Sequence, residues 1–342
     1  MRRTGILSLA CVFFSACTVQ RWQAASSLPT DDHMSHMAAA DLRPPTSSIS
    51  LAGSVSQGVS GLPASNNSAP ARLAASPRHS EWVKIAWQPG SRDSIMAWVV
   101  YPKTSAKAPV VVVVHEIFGL STWVRGVADQ VAADGFIAIA PDFLSRVRGG
   151  PSTTELSGDS ARKLIQGVNT TDQAAVIDAA ANYAMTLPSA ERRYAVIGYC
   201  WGGSATFSHA INGGVMGFSG GVAFYGTPYT TRGTPATATT PAVPSTLIAD
   251  SVAKIAKPVM LLSGSKDARI TALMPAIDSM MKALHKAYSG TNYEGAVHGF
   301  LRAQDDPKSP ARDEAEEAAN LTATKDGWPK TVAFLKKNLS VK

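Results

Sequence analysis

A cysteine stands between glycines at the end of an apolar run: Val196-Ile197-Gly198-Tyr199-Cys200-Trp201-Gly202-Gly203. The run reads as a strand, and the residues beyond it, through Ala205 and Phe207 to Ala210, read as a helix. A side chain on so abrupt a turn leaves no room for neighbouring Cβ atoms, which accounts for Gly198 and Gly202. The turn would present Cys200 at the N-terminus of that helix, whose dipole favours a thiolate. The amide of Trp201 would face the same pocket and could donate to a developing oxyanion.

A nucleophile needs a base, and the base needs a group to orient it. Downstream, an apolar run at 258–262 ends in Ser263-Gly264-Ser265-Lys266-Asp267, and a later segment reads Gly295-Ala296-Val297-His298-Gly299-Phe300. Taken singly, Cys200 is a small buried hydrophobe, His298 a structural imidazole and Asp267 a helix cap. Taken together, each follows a strand, in the order nucleophile, acid, histidine of the α/β-hydrolases. The combination favours Cys200 as nucleophile, forming a thioester that water then hydrolyses.

Positioning these three groups requires a sheet. Residues 82–87 and 95–101 read as two strands across the Pro89-Gly90 turn. Val110–Val114 is a continuous apolar run suited to a strand buried on both faces. Ser121 can cap a helix through Gln130 and Val131, closed by Gly135, and Phe136–Pro141 is another short buried strand. A helix over about 172–185 leads into the strand at 194–198, and further strands fall at 221–225 and 258–262. Ile277, Met280, Met281 and Leu284 mark a helix, and Trp328-Pro329 is expected to open the last one, ending near Asn338. Strands alternating with helices predict an α/β fold, a mostly parallel sheet with helices on both faces.

The chain resembles the dienelactone hydrolase family, the cysteine branch of the α/β-hydrolase fold, over about residues 81–342. The resemblance is carried by G-x-C-x-G-G at 198–203, Val114-His115-Glu116, Pro141-Asp142 followed by Arg146, and His298-Gly299-Phe300-Leu301-Arg302. It implies Cys200 as nucleophile, His298 as base and Asp267 as its orienter. It implies that Glu116 holds the resting thiol and helps to deprotonate it when substrate arrives. The amides of Ile117 and Trp201 would form the oxyanion hole, and Arg146 and Arg302 would grip a substrate carboxylate. Phe224 and Tyr225 fall near a pair of tyrosines in that family, so Tyr225 alone would keep a hydroxyl at the substrate. A Thr/Pro/Ala-rich segment at 227–250 stands where a tighter connection is expected.

The remaining residues bound the function class. The net charge of +7 is scattered, with no basic block, so nucleic acid is not an expected partner, whereas a small anionic lactone or ester is. Arg2-Arg3 followed by an apolar run from Gly5 to Ala16 reads as a secretion signal, too short to span a bilayer. Phe14-Ser15-Ala16-Cys17 resembles a bacterial lipobox, and plain cleavage near Ala24-Ala25 is the alternative. The expectation is an exported chain, periplasmic or anchored through a lipid on Cys17. Residues 1–17 would then be the signal and lipobox, 18–80 a flexible tether and 81–342 the catalytic domain. Within the tether, Asp31-Asp32-His33-Met34-Ser35-His36-Met37 lacks further ligands and is read as linker; no metal or cofactor is expected. The leading expectation is hydrolysis of a small carboxylate-bearing lactone or ester. The competing ones are an esterase or acyl hydrolase without carboxylate selectivity, and a catalytically inactive tethered binding protein.

Overall fold

The tryptophans near residue 80 begin the sheet. In the computed structural model, which describes residues 58–341 apart from 89, 91, 153–155, 157, 232, 235, 236, 238, 239, 241 and 305–313, β1 (Ser80–Ala86) pairs antiparallel with β2 (Ser94–Val100). Trp82 lies opposite Trp98, with the Arg125 guanidinium over both rings at 5.8 and 5.5 Å. β3 (Ala108–Val114) is buried along its whole length, as its unbroken valines require. β4 (Ile137–Asp142), β5 (Ala190–Tyr199), β6 (Phe218–Phe224), β7 (Val259–Gly264) and β8 (Tyr288–Tyr293) complete an eight-stranded sheet among the described residues, in the order β1-β2-β4-β3-β5-β6-β7-β8. β2 runs antiparallel to β4, and every pair from β4 and β3 onward is parallel. The fold is the α/β-hydrolase fold expected from the alternation of elements.

The helices are α1 (Ala69–Ala74), α2 (Thr122–Ala133), α3 (Ser145–Arg148), α4 (Gly158–Ile165), α5 (Thr170–Thr186), α6 (Trp201–Asn212), α7 (Ala249–Ala253), α8 (Ala268–Ala283) and α9 (Glu314–Asn338). Ser121 caps α2 through its hydroxyl to the Val124 amide, and Gly135 follows at φ 102°. α6 carries the segment after Cys200 and is buried almost throughout, so its N-terminus cannot wander.

Two expectations are corrected and one strand is added. Trp328-Pro329 does not open the last helix: α9 begins at Glu314 and carries Pro329 in its interior. The missing N–H of a proline costs one backbone bond. The fully buried Trp328, whose indole donates to Asp134, holds the helix on the sheet across that gap. β8 went unread because Tyr288-Ser-Gly-Thr-Asn-Tyr293 is a half-exposed edge strand with no apolar run. The part of the supposed tether from residue 62 to 78 is packed on the domain. Leu62, Ala64 and Ala69 join the core, and Arg78 pairs with Asp129 of α2. The 227–250 segment folds back on itself through bridges at Thr230–Leu247 and Thr234–Val243. Residues 1–57, including the signal, Cys17 and the 31–37 stretch, lie outside the described residues. Among the described residues no helix is long and apolar enough to cross a membrane.

Trp328→Ala should destabilise the fold by about 3–5 kcal/mol, because a fully buried indole leaves a cavity that the surrounding strands cannot close. Chemical denaturation of the two proteins measures this; a loss under 1 kcal/mol would mean that α9 is held by its other contacts.

Candidate active site

β5 turns into α6 at one residue. Cys200 sits there at φ 57°, ψ −116°, a conformation that side chains rarely adopt. Its amide donates to the Phe224 carbonyl at 3.0 Å, and its carbonyl accepts from Gly203 and Ser204, so the strained residue is pinned at both ends. The neighbours have no room for a side chain. A Cβ on Gly198 would stand 2.0 Å from the Gly202 oxygen, and one on Gly202 would stand 2.4 Å from the Val114 oxygen. The glycines read from the sequence are therefore steric necessities.

The loops after β7 and β8 are knitted together by backbone bonds. Lys266 N donates to Ala296 O at 3.0 Å, Ser265 N to Tyr293 O at 2.8 Å, and Gly295 N to Ser265 Oγ at 2.8 Å. This brings Asp267 and His298, thirty-one residues apart, to a hydrogen bond of 2.6 Å between Oδ2 and Nδ1. The other carboxylate oxygen, Oδ1, caps α8 by accepting the Ile270 amide. Cap and orienter are thus one residue, with one oxygen for each role. Burial works against charge on His298, but its interactions with Cys200 and Asp267 outweigh it and hold the imidazole well above its usual range. Burial likewise pushes Asp267 up, and His298 more than reverses it, leaving the carboxyl below its usual range.

Beside this pair lies a second buried ion pair. Arg302 Nε is 2.9 Å from Glu116 Oε2, with both residues under a tenth exposed and the guanidinium 5.7 Å from the Phe118 ring. Glu116 follows His115, whose Nδ1 donates to the Glu116 carbonyl and whose Nε2 accepts from the Phe143 amide at 3.1 Å. Burial pushes the His115 imidazole down, in keeping with the neutral ring that this pattern needs. His115 therefore fixes the peptide that precedes Ile117. Neither the Ile117 nor the Trp201 amide donates to another group among the described residues. At the first turn of α6 the Trp201 N–H has no helical partner either, so both are free to meet an oxyanion.

Two tyrosines close the site. Tyr225, at φ 41°, lays its ring 4.9 Å from the His298 imidazole. Tyr199 was not singled out from the sequence, although its place inside Gly-Tyr-Cys could have flagged it. Both hydroxyls are fully buried and find no hydrogen-bond partner among the described residues. Burial, then the charge of Glu116, pushes both phenols well up, so each remains a donor. Asp142 also proves structural in a way the sequence did not disclose, accepting from Leu144 N, Ser152 N and Ser152 Oγ to staple the 142–152 loop.

Arg146 is not drawn into this cluster. It lies on the short α3, its guanidinium 3.8 Å from the Trp87 ring and 3.7 and 4.0 Å from Asp93 and Asp172. Among the described residues no group of three His, Cys, Asp or Glu side chains converges as a metal set. The arrangement can activate a thiol against an imidazole–carboxylate pair, stabilise an oxyanion with two amides and meet an anion with one buried arginine.

The profile of the dienelactone hydrolase family matches residues 95–339, more than two thirds of the chain. The chain belongs to this family. A Synechocystis protein named "Putative carboxymethylenebutenolidase" is 27% identical over 71% of this chain and 91% of its own length. A Bradyrhizobium protein named "Probable 2-oxo-3-(5-oxofuran-2-ylidene)propanoate lactonase" is 28% identical over 76% of this chain and 94% of its own. The crystal structure titled as a putative dienelactone hydrolase from Klebsiella pneumoniae superposes with a TM-score of 0.57 at 23% identity, covering 76% of this chain and 99% of that one. That last likeness concerns the fold.

Replacing Cys200 by alanine should lower the pH at which His298 titrates, because the interaction with the sulfur that favours the imidazolium is gone while burial remains. Imidazole resonances followed by NMR across pH in wild type and Cys200→Ala give the answer. An unchanged or higher titration point would mean that the two side chains are not coupled.

Proposed function

We propose that this hydrolase cleaves a small carboxylate-bearing lactone or ester through a Cys200–His298–Asp267 triad and a thioester intermediate. Two buried ion pairs carry the reading, Asp267–His298, whose imidazole interacts with Cys200, and Glu116–Arg302. In the first step the Cys200 sulfur adds to the carbonyl carbon while its proton passes to Glu116, which returns it to the sulfur once the product has left. The carbonyl oxygen becomes an oxyanion between the Ile117 and Trp201 amides. The intermediate collapses, the C–O bond breaks, and the leaving alkoxide takes a proton from His298. Water, deprotonated by His298, then attacks the thioester and releases the acid and the thiolate. Asp267 holds the imidazole through Nδ1 and leaves Nε2 for the proton transfers.

Arg302 gives the anion selectivity. A substrate carboxylate competes with Glu116 for its guanidinium, as the family resemblance implies, and frees Glu116 to take the thiol proton. Tyr225, against His298, offers a hydroxyl to the same substrate. A second reading, an esterase without carboxylate selectivity, draws support from Arg146, which spends its contacts on Trp87, Asp93 and Asp172.

Arg302→Lys separates the two, since a lysine keeps the charge but loses the fork that meets a carboxylate with two bonds. Relative to wild type, kcat/KM should fall roughly ten- to a hundredfold more on a carboxylate-bearing lactone than on a neutral aryl ester. Equal losses on both substrates would favour the unselective esterase. Cys200→Ala, assayed in parallel, should abolish turnover of both, and near wild-type turnover would remove the triad from the account.

The same proposal extends to location: export, with processing before Cys17 and a lipid on that cysteine. Intact-mass analysis of the mature protein should find a lipidated start at Cys17. An unmodified start near Ser26 would indicate plain secretion.

A further inference from the structure

The family match begins at residue 95, but the chain ahead of it reaches the active site. Three consecutive carbonyls there accept from side chains far apart along the chain. Leu62 O accepts from Arg72 Nη1 at 2.6 Å, Pro63 O from Gln304 Nε2 at 3.0 Å and Ala64 O from Trp123 Nε1 at 2.9 Å. In the other direction the Asn66 amide donates to the Arg302 carbonyl at 2.9 Å. Ser65 and Ser68 each accept the other's amide, closing the turn into α1. Ala69 is fully buried against α2, where a Cβ on Gly126 would come within 3.3 Å of it.

These bonds fall on the turn that carries the base and the arginine. Arg302 N and Ala303 N both donate to Gly299 O, one residue beyond His298. Gln304 Nε2 joins Pro63 O to Leu301 O, so one amide group ties the strap to the turn. The peptide of Arg302 is held from outside by the strap while its guanidinium holds Glu116 inside.

We propose that residues 62–69 are a positioning element of the active site, a strap that sets the height of the Arg302 backbone and so the contact of its guanidinium with Glu116. The inference rests on Cys200 and Arg302 having the roles given above. Releasing the strap leaves the Trp123 indole, the Gln304 amide and the Arg302 carbonyl to find water, and the turn relaxes outward. A displacement of about 1 Å at a positioning group can cost on the order of a hundredfold in rate.

The test uses the full-length chain. Ala69→Glu places a carboxylate in a dry contact with no partner, which should expel the strap. Trp123→Phe, made alongside, keeps an aromatic ring there and removes the indole donor to Ala64. Trypsin cleavage after Arg72 or Arg78 reports release, and thermal unfolding reports the rest of the domain. The functional readout is alkylation at Cys200, followed on its own peptide by mass spectrometry, with iodoacetate and with neutral iodoacetamide. With the strap out, the iodoacetate-to-iodoacetamide rate ratio should drop about tenfold or more, and kcat on the carboxylate-bearing lactone should fall further than KM changes. Trp123→Phe should move both in the same direction by a few-fold. Unchanged alkylation and turnover in a chain whose strap is cut by trypsin, or in Trp123→Phe if Ala69→Glu does not fold, overturns the proposal. A wild type that reacts equally with the two reagents counts against the carboxylate reading instead. The strap is then judged by the same two outcomes on the iodoacetamide rate.

Discussion

Cys200 stands where a strand becomes a helix within a single residue, and the site is built around making that turn tolerable. A residue at φ 57° persists only where its surroundings over-determine it. Here the surroundings are the β5–β6 backbone bond to Phe224, the buried body of α6, and glycines at 198 and 202 that let three backbones meet at van der Waals distance. The same turn sets the Trp201 amide at the open end of α6, beside the sulfur. In the proposed mechanism, nucleophilic reach, dipole and oxyanion donor would all follow from this one backbone conformation.

Around that point two ion pairs divide the work of a buried, charged site. A lone imidazolium or guanidinium in such burial would be costly, and each is offset by a carboxylate at ion-pair distance. The pairs differ in what they are coupled to. Asp267 is also the cap of α8, so the imidazole it holds inherits the rigidity of a helix. Glu116 hangs from a peptide fixed by the neutral His115, while Arg302 hangs from a turn braced by residues ahead of the sheet. One pair suits a fixed proton relay, and the other suits an exchange of partners when an anion arrives.

Much of this was legible in the sequence for identifiable reasons. Period and apolar runs disclosed the parallel strands, because a strand buried on both faces has to be continuously apolar, as at Val110–Val114. Glycine spacing disclosed the turn, because no other residue fits. What escaped had no local signature. β8 is a polar edge strand, and Pro329 sits inside a helix that tertiary burial of Trp328 sustains. The Ser, Ala and Pro composition of residues 62–69 reads as linker, since what orders it is bonding to Trp123 and Gln304, far away along the chain. Arg146 matched a spacing, yet its guanidinium settles on Trp87, a contact that spacing cannot disclose.

The central claim is that the acyl group rests on the Cys200 sulfur. It is tested most directly by quenching turnover of a slowly hydrolysed carboxylate-bearing aryl ester with acid and mapping the peptides by mass spectrometry. The account predicts one adduct of acyl mass, on the peptide carrying Cys200, removed by hydroxylamine as a thioester is. An adduct on Ser204 or another residue, or rapid burst turnover with an unmodified Cys200, would contradict it.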